Sequence, residues 1–109
     1  MRRNTMNANT TNTLRKEVYR RDGYRCAICD ATEGLQLHHI KPRGKGGADH
    51  PMNLITLCWR CHAAAHGTII NPGQPSAQDI EQACVEYVSD YYANQGRPWS
   101  PWGPQAGPG

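Results

Sequence analysis

The sequence predicts a small α+β domain, and three observations carry that expectation. Two Cys-x-x-Cys pairs, Cys26/Cys29 and Cys58/Cys61, are separated by 28 residues in a chain of 109. Between them, "GLQLHHI" and "NLITLC" have the make-up of two short strands joined by a loop rich in glycine and lysine. Beyond them, Ile80, Ala83, Cys84, Tyr87, Val88, Tyr91 and Tyr92 recur at spacings of three and four, the pattern of an amphipathic helix. With 38% hydrophobic residues and no Phe, the chain can bury only a modest core, so a bound metal is an expected staple.

Residues 1–12, "MRRNTMNANTTN", are polar and aperiodic and are expected to form a flexible N-terminal tail. "TLRKEVYRRDGY" has helical character over residues 13–22. Leu14, Val18 and the stem of Arg21 share one face there, Arg15, Lys16 and Arg20 the other, and Gly23 stops the helix. Cys26-Ala27-Ile28-Cys29 makes a tight knuckle, and "GLQLHHI" follows as the first strand. The second strand ends at Cys58, and the helix formers of "WRCHAAAH" begin a helix near Trp59 or Arg60. Strand, loop, strand and helix form a unit over about residues 35–67. "TIINPGQP" is a linker by composition. Ser76 is then a helix N-cap with Asp79 three residues on, and the late helix closes at Gly96. Residues 97–109, "RPWSPWGPQAGPG", are expected to be an irregular tail, which leaves the domain at 13–96.

Five cysteines in a chain without a secretion-type N-terminus suit a reducing compartment and metal ligation, not disulfides. Cys26, Cys29, Cys58 and Cys61 have the spacing of a closed tetrahedral Zn(Cys)4 site; four thiolates leave no open position, so this zinc is expected to be structural. Cys84 lies on the apolar stripe of the late helix and is expected to be a small core residue. No apolar run approaches membrane-spanning length, and a soluble, cytoplasmic protein is expected. The formal charge of +3 is unevenly spread, at +5 over residues 1–25, +1 over 26–66 and −3 over 67–109. The basic end is where a polyanion would be drawn.

Five histidines fall within the unit 35–67, and four of them, His38, His39, His62 and His66, are placed for a common site. His62 and His66 are four apart in a helical segment and share a face, a spacing suited to one metal ion. His38 and His39 are neighbours on a strand, so they point to opposite sides and cannot both bind that ion. One of them can join the helix histidines while the other faces substrate. His50, in "GADHPMN", fits no such geometry.

The residues "YRCAIC", "LHHIKPRGKGGADHPMNLITLCWRC" and "HAAAH" together resemble an HNH endonuclease of the four-cysteine type, with a ββα-metal core in a zinc-stapled scaffold. The stretch Cys26–His66 that carries the likeness is 41 of 109 residues. The resemblance implies that His38 is a metal ligand and His39 the general base. It implies further that Asn53 holds the loop and orients His39, and that His62 and His66 complete the ion's ligands. His39, Asn53 and His62 are then the catalytic set. By the same analogy the expected activity is phosphodiester hydrolysis to 5′-phosphate and 3′-hydroxyl ends.

A histidine-rich ligand set is softer than a carboxylate one and should favour Mn²⁺, with Co²⁺, Ni²⁺ or Mg²⁺ as substitutes. Lys41, Arg43 and Lys45, on the loop after the paired histidines, and Arg20 on the first helix are candidate contacts to the backbone of double-stranded DNA. Nothing resembles a base-reading helix, so weak sequence specificity is expected. A monomer should nick, and a weak dimer could break both strands. Such an enzyme suits a phage, a mobile element or a bacterial restriction system, with partner proteins from those settings. Two rivals compete: a non-catalytic zinc module that only binds nucleic acid, and an adaptor that docks a partner through the Pro/Trp tail. The first of these leaves His39, Asn53, His62 and His66 unexplained.

Overall fold

"LITL", Leu54–Leu57, is buried at every position, which a four-residue strand achieves only when both of its faces are covered. The rest of the chain supplies those covers. A computed structural model describes residues 8–102, and within them the order is α1 (Ala8–Arg21), β1 (Gln36–His39), β2 (Leu54–Leu57), α2 (Trp59–Ala65) and α3 (Ala77–Ala93). The two strands pair antiparallel, with Gln36 opposite Leu57, His38 opposite Ile55 and His39 opposite Leu54. The fold is thus a small α+β arrangement of three helices and a two-stranded sheet, with a cluster of four cysteines that could bind zinc.

The core gathers Ile40, Met52, Ile55, Leu57 and Ala64 with the inward stripe of α3, Ile80, Cys84, Val88 and Tyr92. Each fully buried Leu or Ile contributes about 1.5–3 kcal/mol, so this layer is small but sufficient to dock α3. Ser76 caps α3 by the expected device: its Oγ accepts from the Asp79 N–H at 3.1 Å, and the Asp79 carboxylate accepts from the Ser76 N–H. Cys84 lies on the inner stripe, where burial pushes its thiol up to about 12.

Helix α1 starts at Ala8, five residues before the expected start, so residues 8–12 are helix and not tail. Docking fixes the later turns of the helix, and each residue added to a formed helix gains a backbone hydrogen bond at little further entropic cost. The rest of the expected N-terminal tail, residues 1–7, lies outside the described residues. Val18 is buried as expected, and the stem of Arg21 shares its inward face as expected. The charged head follows the stem into the interior, beyond what the sequence reading expects, and the Arg21 side chain is only 4% exposed. The guanidinium donates to Asp22 Oδ1 at 2.7 Å and Oδ2 at 3.0 Å, and to the carbonyls of Pro51 and Leu54 at 2.7 Å each. Asp22 Oδ2 in turn accepts from the Thr56 N–H at 2.9 Å. The pair ties α1 to β2. Burial alone would lower the Arg21 pKa, but the adjoining Asp22 carboxylate outweighs it and the net shift is upward.

The boundary expected at residue 96 also moves. Residues 97–102 are irregular, yet the Trp99 indole N–H donates to the Met52 carbonyl and Ala48 N–H donates to Pro101 O at 3.0 Å. Tertiary contacts hold this segment where no local periodicity could announce it. The remainder of the expected tail, residues 103–109, is outside the described residues. No helix among the described residues is long and apolar enough to cross a membrane.

Candidate active site

The two cysteine pairs meet where β2 runs into α2. The Sγ atoms of Cys26, Cys29, Cys58 and Cys61 all lie within 4.8 Å of one another, and those of Cys29 and Cys58 are 3.5 Å apart. Zinc with Zn–S bonds of about 2.3 Å sets tetrahedral sulfurs about 3.8 Å apart, so the four cysteines are positioned to bind a structural metal. Local backbone shapes the first knuckle: Cys26 N–H donates to Ala31 O at 2.7 Å and Asp30 N–H to Cys26 O at 2.9 Å. Asp30 takes a φ of 68°, a left-handed turn that aspartate tolerates better than most residues. Burial raises the Cys58 thiol pKa, but N–H groups of Cys61 and Arg60 at the start of α2 donate to its sulfur and bring the net shift down.

Cys61 and His62 are consecutive, so the turn of α2 that carries a thiolate into the first cluster also carries an imidazole into a second one. His38 from β1 and His62 and His66 at the end of α2 bring ring nitrogens within 4.8 Å of one another. Their rings stand edge to face, with centroids 5.1 Å (38–62), 5.6 Å (38–66) and 4.8 Å (62–66) apart. The Nε2 atoms of His62 and His66 are 3.2 Å apart. Nδ1 of His62 contacts Gln36 Oε1, and the tautomer that donates from Nδ1 in that contact turns the Nε2 lone pair to the cluster. Burial, followed by the neighbouring His62, His66 and His39, pulls the His38 pKa down to about 4. Burial and His66 also lower that of His62. Both imidazoles are thus neutral near pH 7, the form that ligates a metal. Three imidazoles converging in this way fit a divalent ion with open positions.

His39 turns to a different partner. Its Nε2 is 2.7 Å from Asp49 Oδ1, which also accepts from Arg43 Nε at 2.9 Å. Burial would raise the Asp49 carboxyl, but hydrogen bonds from Arg43 and His39 hold it below the usual carboxylate range. The orienting contact on His39 therefore comes from Asp49, whereas Asn53 was the expected source. Asn53, fully buried, clamps the loop instead. Its Oδ1 accepts from the Lys41 N–H at 2.8 Å, and its Nδ2 donates to Lys41 O at 2.9 Å and Ala48 O at 3.0 Å. Gly47 is part of that clamp, because a Cβ there would lie 1.8 Å from Lys41 O and 2.7 Å from Asn53 Nδ2. This glycine serves closure of the loop.

Both histidine arrangements open onto one cleft of about 560 Å³, whose lining includes His38, His39, His62 and His66. Lys41, Arg43 and Lys45 line it as well, so the structure gathers the three expected basic loop residues at one place. Arg20 is not among them. It lines a separate groove with Glu17, Arg21 and Arg97 that shares no lining residue with the histidine cleft.

Three residues of this site escaped the sequence reading. Gln36 had a findable signal, since it lies two residues before His38 on one strand face. Asp49 had none, because its loop lacks periodicity. Glu81 reaches the cleft rim from α3, an element far away in sequence. His50, left without a role, caps the short 3-10 turn Pro51–Asn53 by accepting from the Met52 N–H at 3.1 Å.

A four-cysteine cluster, a three-histidine cluster and a two-stranded sheet leading into a helix together define a small α+β fold with two candidate metal sites. The family model for HNH endonuclease matches residues 26–68, which span all of these parts, and the chain belongs to that family. A curated relative, Anaredoxin from Nostoc sp. strain PCC 7120, is 33% identical over 52 residues, or 47% of this chain and 68% of that protein. No solved structure matches the chain.

Proposed function

We propose that the domain is a metal-dependent endonuclease that hydrolyses phosphodiester bonds in double-stranded DNA. One observation carries the reading: a three-imidazole cluster and His39, itself paired with Asp49, line the same cleft together with Lys41, Arg43 and Lys45. A divalent ion held by His38, His62 and His66 would supply Lewis-acid polarisation of a phosphate oxygen. The softness of that donor set favours Mn²⁺, with Co²⁺ or Ni²⁺ next and Mg²⁺ last.

The chain's own groups do the rest. An ionised Asp49 only accepts, so the proton of its bond to His39 sits on Nε2, leaving the Nδ1 lone pair to take a proton from water. Arg43 steadies Asp49, and Asn53 acts as a positioning residue by closing the loop that carries both. Lys41 and Lys45 hold phosphates and read no bases, so specificity is weak and binding falls steeply with salt. The products are 5′-phosphate and 3′-hydroxyl ends. One such unit cuts one strand, and a weak dimer would cut both. A bacterial or phage-encoded enzyme acting in the cytoplasm fits this chemistry.

The test is conversion of supercoiled plasmid with Mn²⁺ and with Mg²⁺, alongside His39→Ala. Nicked circles with Mn²⁺ ahead of Mg²⁺, and none with the variant at unchanged zinc content, are expected. Full activity of His39→Ala would overturn the assignment of the base. Absence of cleavage with every divalent metal would favour the alternative, a zinc-containing module that only binds nucleic acid.

A further inference from the structure

Trp102 is a large aromatic residue held in water. It is 57% exposed, yet its position is set by the segment before it. The Trp99 indole is anchored on Met52 O, Pro101 O accepts from Ala48 N–H, and Trp102 N–H donates to the Oγ of the buried Ser100 at 3.2 Å. The indole lies against the basic loop at Gly46, where an added Cβ would come within 3.2 Å of the ring nitrogen. Gly46 also has a φ of 90°, so glycine suits this position on two counts. The Lys41 ammonium is 5.5 Å from the ring centroid, and Lys41 is itself part of the cleft lining. A fixed, exposed π-face next to phosphate-binding lysines is the chemistry that grips single-stranded nucleic acid.

We propose that Trp102 is a stacking platform for an unpaired nucleobase beside the histidine cleft, so that the domain binds single-stranded or splayed nucleic acid more tightly through this residue than intact duplex. The proposal deepens the endonuclease reading and rests on it for the identity of the ligand. Inside a duplex, both faces of every base are already covered by neighbouring bases, and an indole has nothing to stack on. An unpaired base leaves a face free. Trp59, Tyr24 and Tyr91 are also exposed, but they lie on other elements, whereas the Trp102 ring packs against Gly46 and Lys41 of the basic loop.

The experiment uses the full chain with zinc bound and His39→Ala in the background, so that the probes stay intact. Fluorescence anisotropy measures binding of labelled oligothymidylate and of a dumbbell duplex closed at both ends by hexaethylene glycol linkers, which presents neither an unpaired base nor an open terminal base pair. Trp102→Ala should weaken oligothymidylate binding about tenfold and shift dumbbell binding less than about twofold, with Trp102→Phe recovering most of the loss. The oligothymidylate ratio between Trp102→Ala and its parent should also hold as salt is raised, because stacking releases no counterions. Equal losses on both probes, a ratio that collapses with salt, or no loss at all would overturn the platform. A chain that nicks plasmid while Trp102→Ala binds like its parent refutes only the platform. A chain that never nicks, with the oligothymidylate effect intact, refutes only the nuclease.

Discussion

Replacing Asn53 with alanine removes three hydrogen bonds at once from a fully buried site. The Lys41 amide and the Lys41 and Ala48 carbonyls all lose their side-chain partner. Each such orphaned group costs about 1–3 kcal/mol, and taking the low end because the loop borders solvent gives about 3 kcal/mol for the three. For a domain near 100 residues, 1 kcal/mol moves Tm by about 4–8 °C, so Asn53→Ala should melt roughly 12–24 °C lower. Thermal unfolding of the zinc-loaded protein measures this, and hydrogen exchange at the Lys41 amide shows whether the loop itself has opened. Asn53→Asp keeps the acceptor for Lys41 N–H but sets a carboxylate against two carbonyl oxygens, so it should recover none of the loss. A drop under about 4 °C, corresponding to less than about 1 kcal/mol, with the Lys41 amide still protected, would refute the clamp.

Cys58→Ser should lose zinc and native near-ultraviolet circular dichroism together, since structural zinc binding is worth about 10–16 kcal/mol and a domain's whole stability is about 5–15 kcal/mol. An unchanged Tm would contradict it. Arg21→Met leaves the Asp22 carboxylate buried without its cation and should cost about 3–5 kcal/mol in urea unfolding. Arg20→Ala, one residue away but exposed, should stay within about 0.5 kcal/mol; equal effects of the two would remove the buried-pair argument.

Features that depend on local spacing were legible in the sequence. Cys-x-x-Cys spacing announces a knuckle, and His62 and His66 one helical turn apart announce a shared face. The adjacency of His38 and His39 announced that their partners would differ, and the structure gives them different ones. What escaped depends on contacts between distant residues. Spacing places the stem of Arg21 on the inward face of α1, but its charged head becomes an interior group only because β2 folds across it. Asp49 meets His39 because a ten-residue excursion returns on itself, closed by Asn53 and the bare Cα of Gly47. Trp99 reaches Met52 across 47 residues, so its Pro- and Gly-rich surroundings suggested a tail where the fold has a strap.

Cys61 and His62 share a peptide bond, so an ion held by the four thiolates and an ion held by the three imidazoles would not be independent. Loss of the first ion would free the first turn of α2, and the imidazole set would lose its scaffold even if its own affinity were untouched. Under the proposed endonuclease reading, a chelator titration of activity would follow whichever centre released its metal first. Loading would then have an order built in: zinc first, with the ion of the cleft exchanged afterwards without unfolding the chain.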